Sequence, residues 1–479
     1  MSSKFDQSLT PSLVASNRPP WQTILRLAWP VLVQQFLILF VGLYDQFLAG
    51  NNAPKDESQH IAYQAAQTTA NYIAWFISSF SALVAVGGTA MVARFVGAGE
   101  RLNANWAMNQ CILLAAILGI VATPISMILL PWGMDMLHLP GESAESAVHF
   151  LQPILLLLTC QMIEQAGISC LVGAGDTKTG PLVLSGVALI NIPLAWSCFH
   201  GFGPIPAQGF FGIGMGTALS HMAGCLAVLV VLYRGRFGLS LKRTLLLPYR
   251  NLIGRILRIS VPASIDTFSV GLCQLWFLAL VNELGKVAAT AHGIAIRCEG
   301  LGYMSGHAFA TAVAALVGQN LGARQPKQAA HITWVALGLG TAIMSVMGLL
   351  FYVFAPEMFR FFSPFEHQTP IIEAGVPVLR LVAFAMPPLA AIIILTGALR
   401  GAGDTRFPIL LTWIGFLLIR IPLAYVLMFP EVNLGSWGSI PGANLGLIGA
   451  WIAMFVDLTV RGILFLWRFL GGRWKSIKV

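Results

Sequence analysis

The chain has 479 residues, of which 57% are hydrophobic and 10% charged, with a mean hydropathy of +0.76 and a formal net charge of +9. Soluble domains carry about 25% charged residues, so this composition cannot cover a water-facing globule and excludes a soluble enzyme. The basic residues recur in short clusters rather than one patch, which excludes a nucleic-acid-binding surface, and seven scattered cysteines without CxxC spacing exclude a disulfide framework or zinc knuckle.

Residues 1–20 are polar and lack the apolar core of a signal peptide, and they read as a cytoplasmic tail. A helix that crosses a bilayer needs about 20 mostly apolar residues. Runs that qualify start near positions 24, 61, 105, 147, 180, 209, 256, 290, 328, 371, 407 and 444, which predicts twelve spans. Spans one to six occupy 21–233, a basic linker 234–255, spans seven to twelve 256–470, and a second tail 471–479. Loops after even-numbered spans hold Arg94, Arg101, Lys178, Arg324, Lys327, Arg400 and Arg406, and the linker region holds Arg234, Arg236, Lys242, Arg243, Arg250, Arg255 and Arg258. The opposite loops keep only Lys55, Lys286 and Arg360. By the positive-inside rule both termini are cytoplasmic.

The chain also repeats itself. Ile24–Pro30 (ILRLAWP) is matched by Ile256–Pro262 (ILRISVP), and Gly173–Lys178 (GAGDTK) by Gly401–Arg406 (GAGDTR). Arg94-Phe95-Val96-Gly97-Ala98 has a looser partner in Gln319-Asn320-Leu321-Gly322-Ala323, and Asn191–Ala195 is echoed by Arg420–Ala424. The offsets are all roughly 225 to 232 residues, in one order. Six spans per half is an even number, so the halves share an orientation and predict a pseudo-twofold axis along the membrane normal, with a cleft between them. GAGDTK lacks the glycine before lysine that a phosphate-binding loop requires. Gly173 and Gly175 suit the left-handed end of a helix and Asp176 the cap of the next; Gly401, Gly403 and Asp404 repeat the device.

An ionised group at mid-membrane costs about 2.5 to 3.5 kcal/mol on insertion scales, so each is a functional candidate. Asp45 lies in span one towards its outer end, Glu164 in span four and Asp266 in span seven. Gln34, Gln35, Asn71, Gln161 and Gln274 are candidate polar wall residues of the cavity. Tyr72, Met162, Trp276 and Tyr303 are candidates for contact with organic cations, since aromatic faces attract them and methionines adapt to varied shapes. Arg297, Glu299, His307 and Arg420 are expected to pair inside the bundle. No two histidines have metal-ligand spacing on one helix, so no metal is expected beyond Na+ at Asp45.

The duplicated GAGDT loops, the run Ala314–Ala323 (AALVGQNLGA) and the Pro30–Asp45–Gly50 spacing together resemble the multidrug and toxic compound extrusion (MATE) family over nearly the whole chain. The resemblance implies an all-α integral membrane protein of two six-helix lobes in a V, in the inner membrane of a bacterial cell. It implies export of amphipathic, often cationic, compounds in exchange for H+ or Na+, by a monomer without a cofactor. It places the coupling carboxylate at Asp45, assisted by Asn191. One turn later, where the family often adds an Asp, this chain has Ala195, and the acid that one branch carries in span seven falls near Val270. A complete C-lobe ion site is therefore not expected, and Asp266 stays open between a second site and an interfacial position. The alternative is a flippase for a lipid-linked precursor from the same fold superfamily, which would want an arginine-rich cavity.

Overall fold

The computed structural model describes residues 19–51, 80, 83–136, 141–204, 206–363, 368–433 and 438–477. The first half forms α1 (Pro20–Asn51), α2 (Leu83–Gly97), α3 (Arg101–Met136), α4 (Gly141–Leu156), α5 (Leu158–Ala174), α6 (Thr179–His200) and α7 (Phe210–Arg234). The second forms α8 (Arg250–Glu283), α9 (Lys286–Gly322), α10 (Pro326–Val353), α11 (Ala355–Phe362), α12 (Thr369–Ala402), α13 (Arg406–Trp413), α14 (Ile421–Met428) and α15 (Gly446–Leu470). A π-helical stretch, Ile414–Arg420, joins α13 to α14 in one continuous span. A short antiparallel hairpin of β1 (Glu431–Asn433) and β2 (Ser439–Pro441) follows.

Helices dominate because hydrocarbon offers no partner to an unpaired backbone group. Ten described helices are long and apolar enough to cross a membrane, and α4 with α5 makes an eleventh, bent by 55° at Leu157. The remaining expected span is represented by α2; the start read near position 61 lies outside the described residues.

Two hydrophobic cores divide the bundle, one drawn mainly from each half. The halves exchange their beginnings, however. Ile24, Leu27, Ala28 and Val31 of α1 belong to the core of the second half, and Leu252, Ile256 and Ile259 of α8 to that of the first. Packing therefore departs from the boundaries at 21 and 256, because repeats in a sequence mark chain order and not which helix a given turn leans on.

The GAGDT loops have one geometry in both halves. Gly175 ends α5 at φ 98° and Gly403 ends α12 at φ 86°, left-handed values that favour glycine. Asp176 Oδ1 accepts from the N–H groups of Lys178 (3.2 Å) and Thr179 (3.0 Å), and the Thr179 hydroxyl donates to Oδ2 (2.5 Å). A Cβ at Gly173 would stand 2.7 Å from the Thr89 carbonyl oxygen, and one at Gly401 2.2 Å from that of Ala314. These glycines let α5 lie on α2 and α12 on α9.

Candidate functional site

The halves are sealed together at the end of the bundle that carries these loops. A Cβ at Gly97 would lie 2.0 Å from the Gln319 carbonyl oxygen, and one at Gly322 2.1 Å from that of Arg94. The Gly87 N–H donates to Ser260 Oγ (2.9 Å) and Gln319 Nε2 to the Gly173 carbonyl (2.9 Å). Arg94 Nη2 reaches across to the carbonyls of Ala402 (3.2 Å) and Ile477 (2.9 Å). Each loop aspartate is also tied to an arginine at the end of its own half's sixth span: Asp176 Oδ2 to Arg236 Nε at 2.8 Å and Asp404 Oδ2 to Arg468 Nη2 at 2.7 Å.

Beyond the seal lies a cavity of about 770 Å³ walled by both halves. The wall from the first half offers Gln34, Thr89, Gln165 and Ser169 among aliphatic neighbours, and among the described residues that line it none carries a charge. The other wall carries Asp266, Glu299, Arg400, Arg420 and Arg461. Asp266 Oδ2 pairs with Arg400 Nη2 at 2.9 Å, while Asp266 Oδ1 and Arg400 Nε have no hydrogen-bond partner among the described residues. Asp457 accepts from both Arg420 (Nη2, 2.7 Å) and Arg461 (Nε and Nη2, 2.7 Å each). Both guanidinium groups stack on Phe416, 4.3 and 4.6 Å from its ring centre. The wider π-helical turn brings Phe416 and Arg420 inward together, and Gly415 leaves the room: a Cβ there would meet Asp457 Oδ1. Burying two like charges around one acid is tolerable only with all these bonds made.

Of the cavity residues read from the sequence, Gln34, Gln274 and Tyr303 line it. Gln274 Oε1 accepts from Arg420 Nη1 at 3.4 Å. Gln35 Nε2 sits 2.9 Å from Nδ1 of His307, itself a lining residue, and so bridges α1 to α9. Met162 is a correction: it is packed in the core of the first half, because the cavity-facing stripe of α5 runs Gln165, Ile168 and Ser169. Trp276 is another. The stripe of α8 is Asp266, Val270, Gln274 and Leu278, which turns Trp276 outward at 46% exposure. Gln161 is half-buried on α5 and not among the lining residues, and Arg297 is exposed instead of paired inside. Asn71 and Tyr72 lie outside the described residues.

The ion-coupling candidates sit apart from the cavity, Asp266 excepted. Asp45 is buried in the C-terminal part of α1, where Tyr44 and Leu48 join the core of the first half, and its Oδ1 has no partner among the described residues. Asn191 of α6 is buried, with Nδ2 donating to Thr217 Oγ1 at 3.1 Å and Oδ1 again without a partner. Glu164 is buried between α5 and α7 against His221. Among the described residues no group of three or more His, Cys, Asp or Glu side chains is arranged to hold a metal ion. Sequence reasoning missed Asp457, Arg461 and His221. The first two stand four apart in an apolar run, a spacing that puts them on one helix face.

A family model described as MatE matches residues 30–197 and 262–426. The chain belongs to the MatE family. The two matched segments of this MatE protein begin at Pro30 and Pro262, the paired prolines of the repeat. It is 26% identical over 459 residues to the probable multidrug resistance protein NorM of Thermotoga maritima, covering 95% of this chain and 93% of that one. It is 25% identical to the multidrug resistance protein MdtK of Proteus mirabilis, covering 92% and 93%. A solved structure described as the outward-facing conformation of a multidrug resistance MATE family transporter of the MOP superfamily superposes with a TM-score of 0.85 at 20% identity, over 98% of this chain and all of that one. A MOP superfamily transporter from Pyrococcus furiosus, described as having a binding pocket of reverse polarity that suggests a different function, superposes at 0.86 with 21% identity, over 98% and 100%. The MatE protein shares their two-lobed V of membrane helices and is a multi-pass membrane transporter.

Proposed function

We propose that this protein exports amphipathic organic compounds, cations among them, by antiport with H+ or Na+, with Asp45 as the coupling carboxylate. The observation that carries the reading is a buried acid in a membrane helix whose Oδ1 has no partner among the described residues, in a protein whose two lobes share a separate cavity. Relatives named as multidrug resistance proteins support the substrate class. Rocking of the lobes exposes the cavity to either side in turn. With the basic loops cytoplasmic, the seal between Gly97 and Gln319 and between Gly322 and Arg94 closes the cytoplasmic end, and the conformation faces outward. The protein works as a monomer in the inner membrane, with both termini cytoplasmic.

One proton crossing one pH unit supplies about 1.4 kcal/mol, and one charge crossing 100 mV about 2.3 kcal/mol. A single ion at Asp45 thus sustains a substantial gradient of substrate. The flippase alternative is disfavoured by the ion pairing of the wall arginines: Arg420 and Arg461 are tied to Asp457 and Arg400 to Asp266, so the charge of each is already met by an acid and not left for a pyrophosphate.

The test is uptake of a fluorescent organic cation into proteoliposomes under an imposed pH gradient and then an imposed Na+ gradient. Movement driven by one of the gradients and lost in Asp45→Asn, with the variant folded, is expected. Full activity in Asp45→Asn moves coupling elsewhere, and no movement by the wild type under either gradient turns the question to lipid-linked sugars.

A further inference from the structure

Inside the N-lobe and away from the cavity wall, Glu164 of α5 faces His221 of α7. Glu164 is 0% exposed, its Oε2 lies 2.7 Å from His221 Nδ1, and its Oε1 has no partner among the described residues. The room around Oε1 is shaped by a glycine: a Cβ on Gly224 would stand 2.2 Å from Oε1 and 2.5 Å from Val187 of α6. Among the described residues, the other titratable groups near the pair on these two helices are Cys160, one turn before Glu164 on α5, and Cys225, one turn after His221 on α7. These four side chains are not arranged to hold a metal ion.

The polar seam continues along α7. Ser220 Oγ donates to the Thr217 carbonyl (2.8 Å), and Thr217 Oγ1 accepts from Asn191 (3.1 Å). Asp45 Oδ1, Asn191 Oδ1 and Glu164 Oε1 are three buried oxygens of one lobe without a partner among the described residues. Purely structural buried carboxylates have their oxygens bonded, and a bare charge inside a bundle is unfavourable without a partner. A half-satisfied acid against an imidazole has the geometry to accept one further proton.

We infer that Glu164 and His221 form a second proton-binding site of the N-lobe, distinct from Asp45. With Glu164 ionised and His221 neutral the pair carries −1. One proton taken from water, shared between Oε2 and Nδ1, makes it neutral as acid and imidazole or as carboxylate and imidazolium, and no other bond or co-reactant is involved. The role of this proton in transport rests on the antiport reading; its binding does not.

Infrared difference spectroscopy of the purified full chain through a pH titration reads carboxyl protonation without transport. The expected result is a buried carboxyl band that vanishes in Glu164→Gln, shifts in His221→Gln and persists in Asp45→Asn. A spectrum left unchanged by both Glu164→Gln and His221→Gln overturns the inference. If Glu164→Gln does not fold, Gly224→Ala, which presses a methyl group on Oε1, is expected to shift the same band, and no shift there counts against the site. In proteoliposomes the number of protons exchanged per substrate is expected to fall by one in Glu164→Gln; an active variant with an unchanged ratio overturns the role of this proton in transport, while the infrared band decides its binding. A wild type whose Glu164 band titrates but which moves no organic cation under a pH gradient leaves the site standing and refutes proton antiport of that cation.

Discussion

Asp404 and Arg468 are joined by two hydrogen bonds of 2.7 and 3.0 Å, and Asp176 and Arg236 repeat the pair in the other lobe. In each lobe the loop after the fourth span is thereby anchored to the end of the sixth. The surroundings differ. Arg468 is 14% exposed and Arg236 49%, and Asp176 also takes two backbone N–H groups and the Thr179 hydroxyl.

Arg468→Ala is accordingly expected to destabilise the fold more than Arg236→Ala. The first strands a buried carboxylate and approaches the roughly 3 to 5 kcal/mol lost when one partner of a buried pair is removed. The second removes a solvent-screened contact worth about 1 kcal/mol or less. Thermal unfolding of both variants in detergent checks the order, and a larger fall in Tm for Arg236→Ala contradicts it.

Gly97→Ala and Gly322→Ala are expected to open the seal. Each adds a methyl group about 2 Å from a carbonyl oxygen of the opposite lobe. Overpacking of this kind costs about 1 to 3 kcal/mol, a five- to hundredfold shift of population away from the sealed state. Pulsed spin-label distances between the facing ends of α2 and α9 report it; an unchanged distance distribution would mean that the backbones accommodate the methyl groups and the seal is not tight.

The twelve-span pattern was legible because a break in a membrane helix exposes backbone to hydrocarbon. Starts read at 180, 209 and 407 fall within one residue of Thr179, Phe210 and Arg406. The paired prolines and loops disclosed the duplication. Facing was harder to read, since lipid tails are as apolar as leucine and leave no hydropathy contrast between a lipid-facing and a protein-facing side. Met162 and Trp276 were misplaced for that reason, and the exchange of α1 and α8 left no trace. The Asp457 cluster went unread because its acid and two bases come from α15 and from the π-helical turn, which offsets the regular helical register.

Asp457→Ala is expected to be far more damaging than Arg420→Met. Without Asp457 two buried guanidinium groups share one aromatic face and lose their only ion-pair partner among the described residues. Without Arg420 the acid keeps its bonds to Arg461. The yield of monodisperse protein after detergent extraction should collapse for Asp457→Ala and fall modestly for Arg420→Met; equal yields would show that the cluster is not held by its acid.

Tyr303→Ala is expected to weaken transport of an aromatic cation by about 2- to 30-fold in apparent affinity, the range of a cation–π contact of about 0.5 to 2 kcal/mol. Trp276→Ala, altering the outer face of α8, should leave affinity within twofold. Concentration dependence of proteoliposome uptake separates the two, and a reversed order places the substrate outside the cavity.

The exchanged beginnings of α1 and α8 also bear on how the chain is made. Of the described helices α1 is made before the others, and it carries Ile24, Leu27, Ala28 and Val31, whose packing partners are in α9 and the helices around it. Those turns wait, inserted but unmatched, until most of the second lobe has been synthesised. Although it precedes the other described helices, α1 is thus among the last to reach its final contacts, and its docking closes the bundle. An N-terminal half expressed alone would insert with that apolar surface turned to lipid, and would need its other half supplied to finish.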